Sequence, residues 1–179
     1  MGYSLWLVPP TNSKIISSLI STIKSFNCSF APHVTIVSKI PLSTSIDEIK
    51  ASLTAYFNEH SLPEVHIKSL HTGSEFFKRI FLRCQRTDSL VSLARFSKQT
   101  FANNNENIDQ WVEDYDPHIS LIYAEEKDCD DQELISQIDR LALIEKTWQG
   151  GKIQLVDTSA KLSEWKTVLD FDIPNSTSS

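Results

Sequence analysis

Two short segments of this 179-residue chain carry the same order of side chains. Phe30-Ala31-Pro32-His33-Val34-Thr35-Ile36-Val37 and Tyr115-Asp116-Pro117-His118-Ile119-Ser120-Leu121-Ile122 align without a gap. Each reads aromatic, variable, proline, histidine, aliphatic, hydroxyl residue, aliphatic, aliphatic. The histidines lie 85 residues apart (33 to 118), close to half the chain, as an internal duplication would place them. Side chains alternate faces along a strand, so His33 and Thr35 point one way, as do His118 and Ser120, each pair roughly 6–7 Å apart. Val34, Ile36, Ile119 and Leu121 then fill the opposite, apolar face. If the two copies pack about a pseudo-twofold axis, two imidazoles and two hydroxyls converge on one cleft.

That set suits one reaction type. An imidazole with an ordinary pKa near ~6.5 gives and takes protons close to neutrality. One neutral and one protonated ring can serve as general base and general acid in a single displacement. Two hydroxyls can hydrogen-bond the non-bridging oxygens of a phosphoryl group as charge builds there. A cyclic phosphodiester fits such a site, because ring opening asks only for activated water and a protonated leaving oxygen. No metal is required. A zinc site from His33, His118 and a cysteine has no recognisable ligand spacing. His60, His66 and His71 lack a matching hydroxyl partner and read as surface or turn residues.

The composition narrows the partners. Seventeen Lys+Arg against 23 Asp+Glu give a net charge of −6, which argues against tracking long nucleic acid but leaves room for a small anion at one local site. The 4 glycines are not spaced as a dinucleotide or Walker phosphate loop, so no such cofactor is expected. Cys28, Cys84 and Cys129 form no close pair and read as reduced thiols of an intracellular protein. Met1–Thr11 does not read as a signal peptide, and no run approaches the ~18 apolar residues of a membrane span. The sequons Asn27-Cys28-Ser29 and Asn175-Ser176-Thr177 read as chance matches.

Strands are expected at Tyr3–Val8, Phe30–Val37, Val65–Leu70, Phe76–Cys84, Tyr115–Tyr123, Ile153–Val156 and Trp165–Ile173. Helices are expected from Asn12 or Ser13 to about Phe26, after a Ser45/Glu48 capping box, over Thr87–Asn103 and over Asp130–Ile144. His71-Thr72-Gly73 suggests a hairpin, and Asn103–Asn107 reads as the best linker. The pattern predicts an α+β fold with mostly antiparallel sheets, and one domain over residues 1–174 with a frayed tail at 175–179.

At the two repeated motifs the sequence resembles the 2H phosphoesterase superfamily, defined by two His-x-Thr/Ser strands. It is most similar to the eukaryotic cyclic phosphodiesterases that act on 2′,3′-cyclic nucleotides and ADP-ribose 1″,2″-cyclic phosphate. Ser4-Leu5-Trp6-Leu7-Val8-Pro9, Thr72-Gly73, Phe76-Phe77, Phe81-Leu82, Ser120–Glu125 and Glu164–Val168 extend the likeness over most of the chain. The resemblance implies two pseudo-symmetric lobes, each an antiparallel sheet backed by helices, with the active-site groove between them. It implies His33 as proton donor, His118 as the acceptor that activates water, and Thr35 and Ser120 as phosphate-binding hydroxyls. Tyr123 matches a substrate-binding position, although simple alternation sets it on the face opposite His118. Trp6 matches an aromatic able to stack on a base, though a core role suits it better. Phe76 and Phe77 are further candidates for the cleft rim.

The expected activity is metal-independent hydrolysis of cyclic phosphates on ribose, linked to tRNA splicing, with a small-molecule substrate and a monomeric protein. A cytoplasmic location is expected, and Golgi association is compatible with the resemblance alone. RNA-end processing by the same chemistry, as in ligase- or exonuclease-like relatives, is one alternative. A non-catalytic nucleotide-binding module is another.

Overall fold

The computed structural model describes residues 2–26, 28, 30–102, 106–125 and 130–174. Most of Asn103–Asn107, the tail at 175–179 with the whole second sequon, Cys129, and Asn27 and Ser29 of the first sequon therefore lie outside the described residues.

The strands are β1 (Tyr3–Val8), β2 (Val34–Ile40), β3 (Glu64–Thr72), β4 (Ile80–Cys84), β5 (His118–Ile122), β6 (Thr147–Gln149), β7 (Lys152–Asp157) and β8 (Lys166–Asp172). The helices are α1 (Lys14–Ser25), α2 (Ile46–Glu59), α3 (Asp88–Phe101), α4 (Ile108–Asp114), α5 (Asp131–Ser136) and α6 (Arg140–Leu143). The fold is α+β, as expected. All strand pairings are antiparallel, and the order is β6-β3-β4-β5-β2-β1-β7-β8. The two halves repeat one plan, β1-α1-β2 matching β4-α3-β5, and they join through β2 and β5 into one curled eight-stranded sheet.

Alternation explains why one face binds helices and the other forms the groove. On β1, Leu5 and Leu7 are fully buried, while Ser4 and Trp6 line the groove. Val34, Ile36, Ile80, Leu82, Ile119 and Leu121 continue the core layer. Helix α3 packs against β2 and α1 against β5, so each half's helix supports the other half's motif strand. Burial of this continuous apolar layer is the main force holding the halves together.

Several boundaries differ from the sequence expectations for local reasons. The motif strands begin at the Val34 and His118 positions, because each proline removes a ladder donor and restrains the residue before it. The segment expected to begin a strand at Phe76 instead forms a short 3-10 turn, Phe76–Lys78, before β4. Helix α4 was not anticipated. Asn107, read as linker, caps it by accepting from the Asp109 and Gln110 amides. The long helix expected over Asp130–Ile144 is two short ones, because Asp139 caps a fresh start through the Leu141 and Ala142 amides. The three-residue strand β6 also escaped notice.

A buried cross-tie joins the motifs directly: the Tyr115 hydroxyl, three residues before His118, donates to the Thr35 carbonyl at 3.0 Å. Burial raises this phenol's pKa, so it remains a donor across the working pH range. Tyr115→Phe removes one hydrogen bond and is expected to cost about 1 kcal/mol. By calorimetry that should appear as a Tm lower by about 2–4 °C; an unchanged Tm would show that the tie carries no stability.

Candidate active site

The β2–β5 junction is narrow, with Val34 paired to Ile119. Extending that antiparallel register by one residue sets His33 across from Ser120 and Thr35 across from His118. In a regular sheet such diagonal neighbours lie roughly 7–8 Å apart, a spacing that brackets a phosphate between the two imidazoles. All four side chains line a single cavity of about 810 Å³, together with Trp6, Phe76, Phe77, Tyr123 and Trp165.

Both rings are oriented in the same way. His33 Nδ1 lies 2.6 Å from the Ala31 carbonyl, and His118 Nδ1 lies 2.7 Å from the Asp116 carbonyl. A carbonyl only accepts, so Nδ1 carries the proton in each neutral ring and Nε2 is left for the cavity. The intervening prolines, Pro32 and Pro117, hold the chain extended so that the carbonyl two residues back reaches the ring.

The surroundings of the rings are not symmetric. His33 is buried, and Trp6 lies flat on it, with centroids 3.7 Å apart and planes 7° from parallel. The Trp6 Nε1–H donates to Ser4 Oγ at 2.9 Å, which fixes the indole. At the equivalent place on β4, Phe81 meets His118 edge-on at 5.5 Å and 71°. The equivalence follows from register, since Trp6 pairs with Thr35 and Phe81 with Ser120. Behind His118, Asp116 binds Lys78 at 2.6 Å and Arg83 at 3.1 Å. Arg86 donates to the carbonyls of Val112, Glu113 and Tyr115, clamping the turn that leads into the second motif.

Burial pushes the His33 pKa down to about 4; the Ala31 carbonyl opposes the shift and the neighbouring His118 reinforces it. His118 is lowered as well, again chiefly by burial, with the Asp116 carbonyl acting against the shift and Lys78 acting with it. Burial pushes the Asp116 carboxyl up, but Lys78 and Arg83 outweigh it and hold the group below the ordinary range.

Among the expected binding residues, Thr35 faces the cavity and its hydroxyl makes no hydrogen bond among the described residues. Ser120 also faces it, but its hydroxyl donates to the Phe77 carbonyl at 2.6 Å. Tyr123 reaches the cavity because β5 ends at Ile122, so strand alternation no longer governs it. Its ring stacks on Phe30 at 3.9 Å. Trp6 lines the cavity too, but His33 covers one face of its indole. The cavity also contains residues the sequence reading did not single out: Lys39 and Lys161 on one wall, and Trp165 at its mouth. The signal for Trp165 was its place in the Glu164–Val168 stretch that extends the family likeness. Among the described residues, no three or more His, Cys, Asp or Glu side chains cluster as a metal site, and no helix is long and apolar enough to cross a membrane.

A 2′,3′-cyclic-nucleotide 3′-phosphodiesterase of Yarrowia lipolytica is 29% identical, covering 96% of this chain and 100% of the relative. The enzyme of the same name from Phaeosphaeria nodorum is 28% identical over 96% of this chain and 99% of its own. A cyclic phosphodiesterase of Arabidopsis thaliana is 27% identical over 69% of this chain and 65% of its own. The protein TT0787 of Thermus thermophilus shares the fold, with a TM-score of 0.59 at 11% identity over 97% of this chain and 98% of that one. The family model described as cyclic phosphodiesterase-like protein matches residues 1–173. The match spans both repeated strands, and the chain belongs to the cyclic phosphodiesterase-like family.

Proposed function

We propose that the protein hydrolyses cyclic phosphates on ribose, with His33 and His118 as its acid–base pair. The observation that carries this reading is the shared cavity, lined by two imidazoles whose Nδ1 atoms are both bound to main-chain carbonyls. In the proposed reaction, His118 Nε2 takes a proton from water as the water oxygen bonds to phosphorus. The bond from phosphorus to the ribose 3′ oxygen breaks as His33 Nε2 delivers its proton to that oxygen, leaving a 2′-phosphate. Thr35 and Ser120 donate to the non-bridging oxygens, and Ser120 turns its proton from the Phe77 carbonyl to do so. The indole face under His33 favours its protonated form by a cation–π contact worth up to about 2 kcal/mol. The anionic phosphodiester adds to that, which suits His33 to the donor role despite its burial.

Family membership and the names of the relatives support 2′,3′-cyclic nucleotides as substrates. We assign ADP-ribose 1″,2″-cyclic phosphate, which would give ADP-ribose 1″-phosphate downstream of tRNA splicing, as a second substrate. Lys39 and Lys161 on the cavity wall support this by offering ammonium groups to a pyrophosphate.

Phosphorus NMR of products from both substrates tests the activity. His33→Ala and His118→Ala should each lower kcat by ~10²–10⁴. Thr35→Ala or Ser120→Ala should cost about 10²–10³. A substrate with sulfur in place of the 3′ bridging oxygen needs no proton on leaving, so it should rescue His33→Ala and not His118→Ala. Rescue of the His118 variant instead would exchange the two roles, and full activity in both variants would reject the mechanism.

The pH dependence has a definite sign. Catalysis needs one proton shared by the pair, and both pKa values lie below the ordinary imidazole value. Raising the pH through the higher of the two removes that proton, so kcat/KM should fall on the acid side of neutrality, below the ordinary imidazole value. A bound phosphodiester anion raises both pKa values, so the falling limb of kcat should sit at higher pH than that of kcat/KM. Coincident or reversed limbs in the two profiles would contradict the assignment.

A further inference from the structure

An aromatic pair closes the mouth of the cavity. Phe77, on the connection between β3 and β4, is 48% exposed, and its ring stacks on Trp165 at 5.5 Å and 29°. Trp165 comes from the connection between β7 and β8, on the other side of the β2–β5 junction, so the contact joins the two halves above the site. Its indole is fixed: Nε1 donates to the Ala160 carbonyl at 3.1 Å, and the ring leans on Trp6 at 6.0 Å. The rings therefore step outward from the reacting centre, His33 to Trp6 to Trp165, and a ribose spans the corresponding step between a cyclic phosphate and its base.

The other aromatic faces of the cavity are occupied by fixed neighbours. Trp6 lies on His33, and Tyr123 lies on Phe30. Trp165 alone among these three is covered by a half-exposed side chain, carried on a three-residue 3-10 turn. Phe77 also meets Phe76 edge-on at 4.9 Å and Tyr123 edge-on at 5.3 Å, but half of it faces water, and a planar base could replace it on the indole with the stacking contact kept.

We propose that Trp165 is the nucleobase platform and that Phe77 is its placeholder, so that a purine or pyrimidine stacks on the indole where Phe77 now lies. The inference rests on the cyclic-nucleotide reading above. The main-chain carbonyl of Phe77 accepts from the Ser120 hydroxyl at 2.6 Å and stays in place when only the phenyl ring moves. Neighbouring residues stay anchored: the Ala124 amide donates to the Phe76 carbonyl at 3.1 Å, and Lys78 is bound to Asp116. The exchange is confined to Phe77. Because every base presents a π face, the platform discriminates base-bearing from base-free substrates more than one base from another.

The test compares adenosine 2′,3′-cyclic phosphate with base-free ribose 2,3-cyclic phosphate in three proteins: wild type, Trp165→Ala and Phe77→Ala. Trp165→Ala should raise KM for the nucleotide by about tenfold to hundredfold, the size of one lost base–aromatic stack, and should collapse the preference for the base-bearing substrate toward unity. Phe77→Ala should move KM the other way, to a lower value, because the competitor for the indole is gone. Opposite signs are the signature, since general damage to the cavity mouth would raise KM in both variants. A rise in both, or a preference that survives Trp165→Ala, would overturn the proposal. If wild type turned over neither substrate, the cyclic-phosphate reading would fail. Calorimetric binding of adenosine 2′-phosphate would then decide the platform separately: weaker binding by Trp165→Ala upholds it, and equal binding by both overturns it.

Discussion

The site depends on one strand pairing. Val34 opposite Ile119 is the hinge point of the pseudo-twofold plan, and its register sets which side chains share the cleft. A slip of one residue in either strand would turn an imidazole and a hydroxyl into the helix-packed core and bring aliphatics to the surface. The core therefore enforces the chemistry: Val34, Ile36, Ile119 and Leu121 reach the apolar layer only in the register that presents His33, Thr35, His118 and Ser120 to the groove. The upstream aromatic of each motif strengthens this by crossing over. Tyr115 binds the main chain at Thr35, and Phe30 stacks on Tyr123 beyond the end of β5.

A symmetric frame carries asymmetric electrostatics. Each imidazole is tied by Nδ1 to the carbonyl two residues back, yet one rests against an indole face and the other near a carboxylate flanked by two cations. The pairing fixes geometry, and the neighbouring strands differentiate the rings. Trp6 and Phe81 occupy matching places on β1 and β4 but meet their histidines face-on and edge-on. Duplication thus supplies two equivalent groups, and the strands beside them give each a different neighbour.

The convergence of His33, Thr35, His118 and Ser120 on one cavity was legible in the sequence because a period of two, a proline stop and a repeated hydroxyl leave little freedom in a strand. The α+β class followed from the interleaving of strand and helix patterns. Local chemistry that competes with a simple period was not legible. Asn107 and Asp139 each cap a helix start, creating α4 where a linker was expected and splitting a helix expected to be continuous. Tyr123 escaped the alternation argument because its strand stops one residue earlier. The stacking of Trp6 on His33 depends on a cross-strand register broken by a bulge between Leu5 and Trp6, which no spacing within β1 reveals.

The central claim is that both histidines turn Nε2 toward the same anion, with Nδ1 held by a main-chain carbonyl. Long-range proton–nitrogen NMR of protein labelled in its imidazoles, followed through a titration with adenosine 2′-phosphate, addresses this directly. The structure predicts that His33 and His118 both begin as the tautomer protonated at Nδ1, and that the Nε2 signals of both move together along one saturation curve. A neutral ring of the free protein found protonated at Nε2 instead of Nδ1, or one of the two left unmoved at saturation, would contradict it.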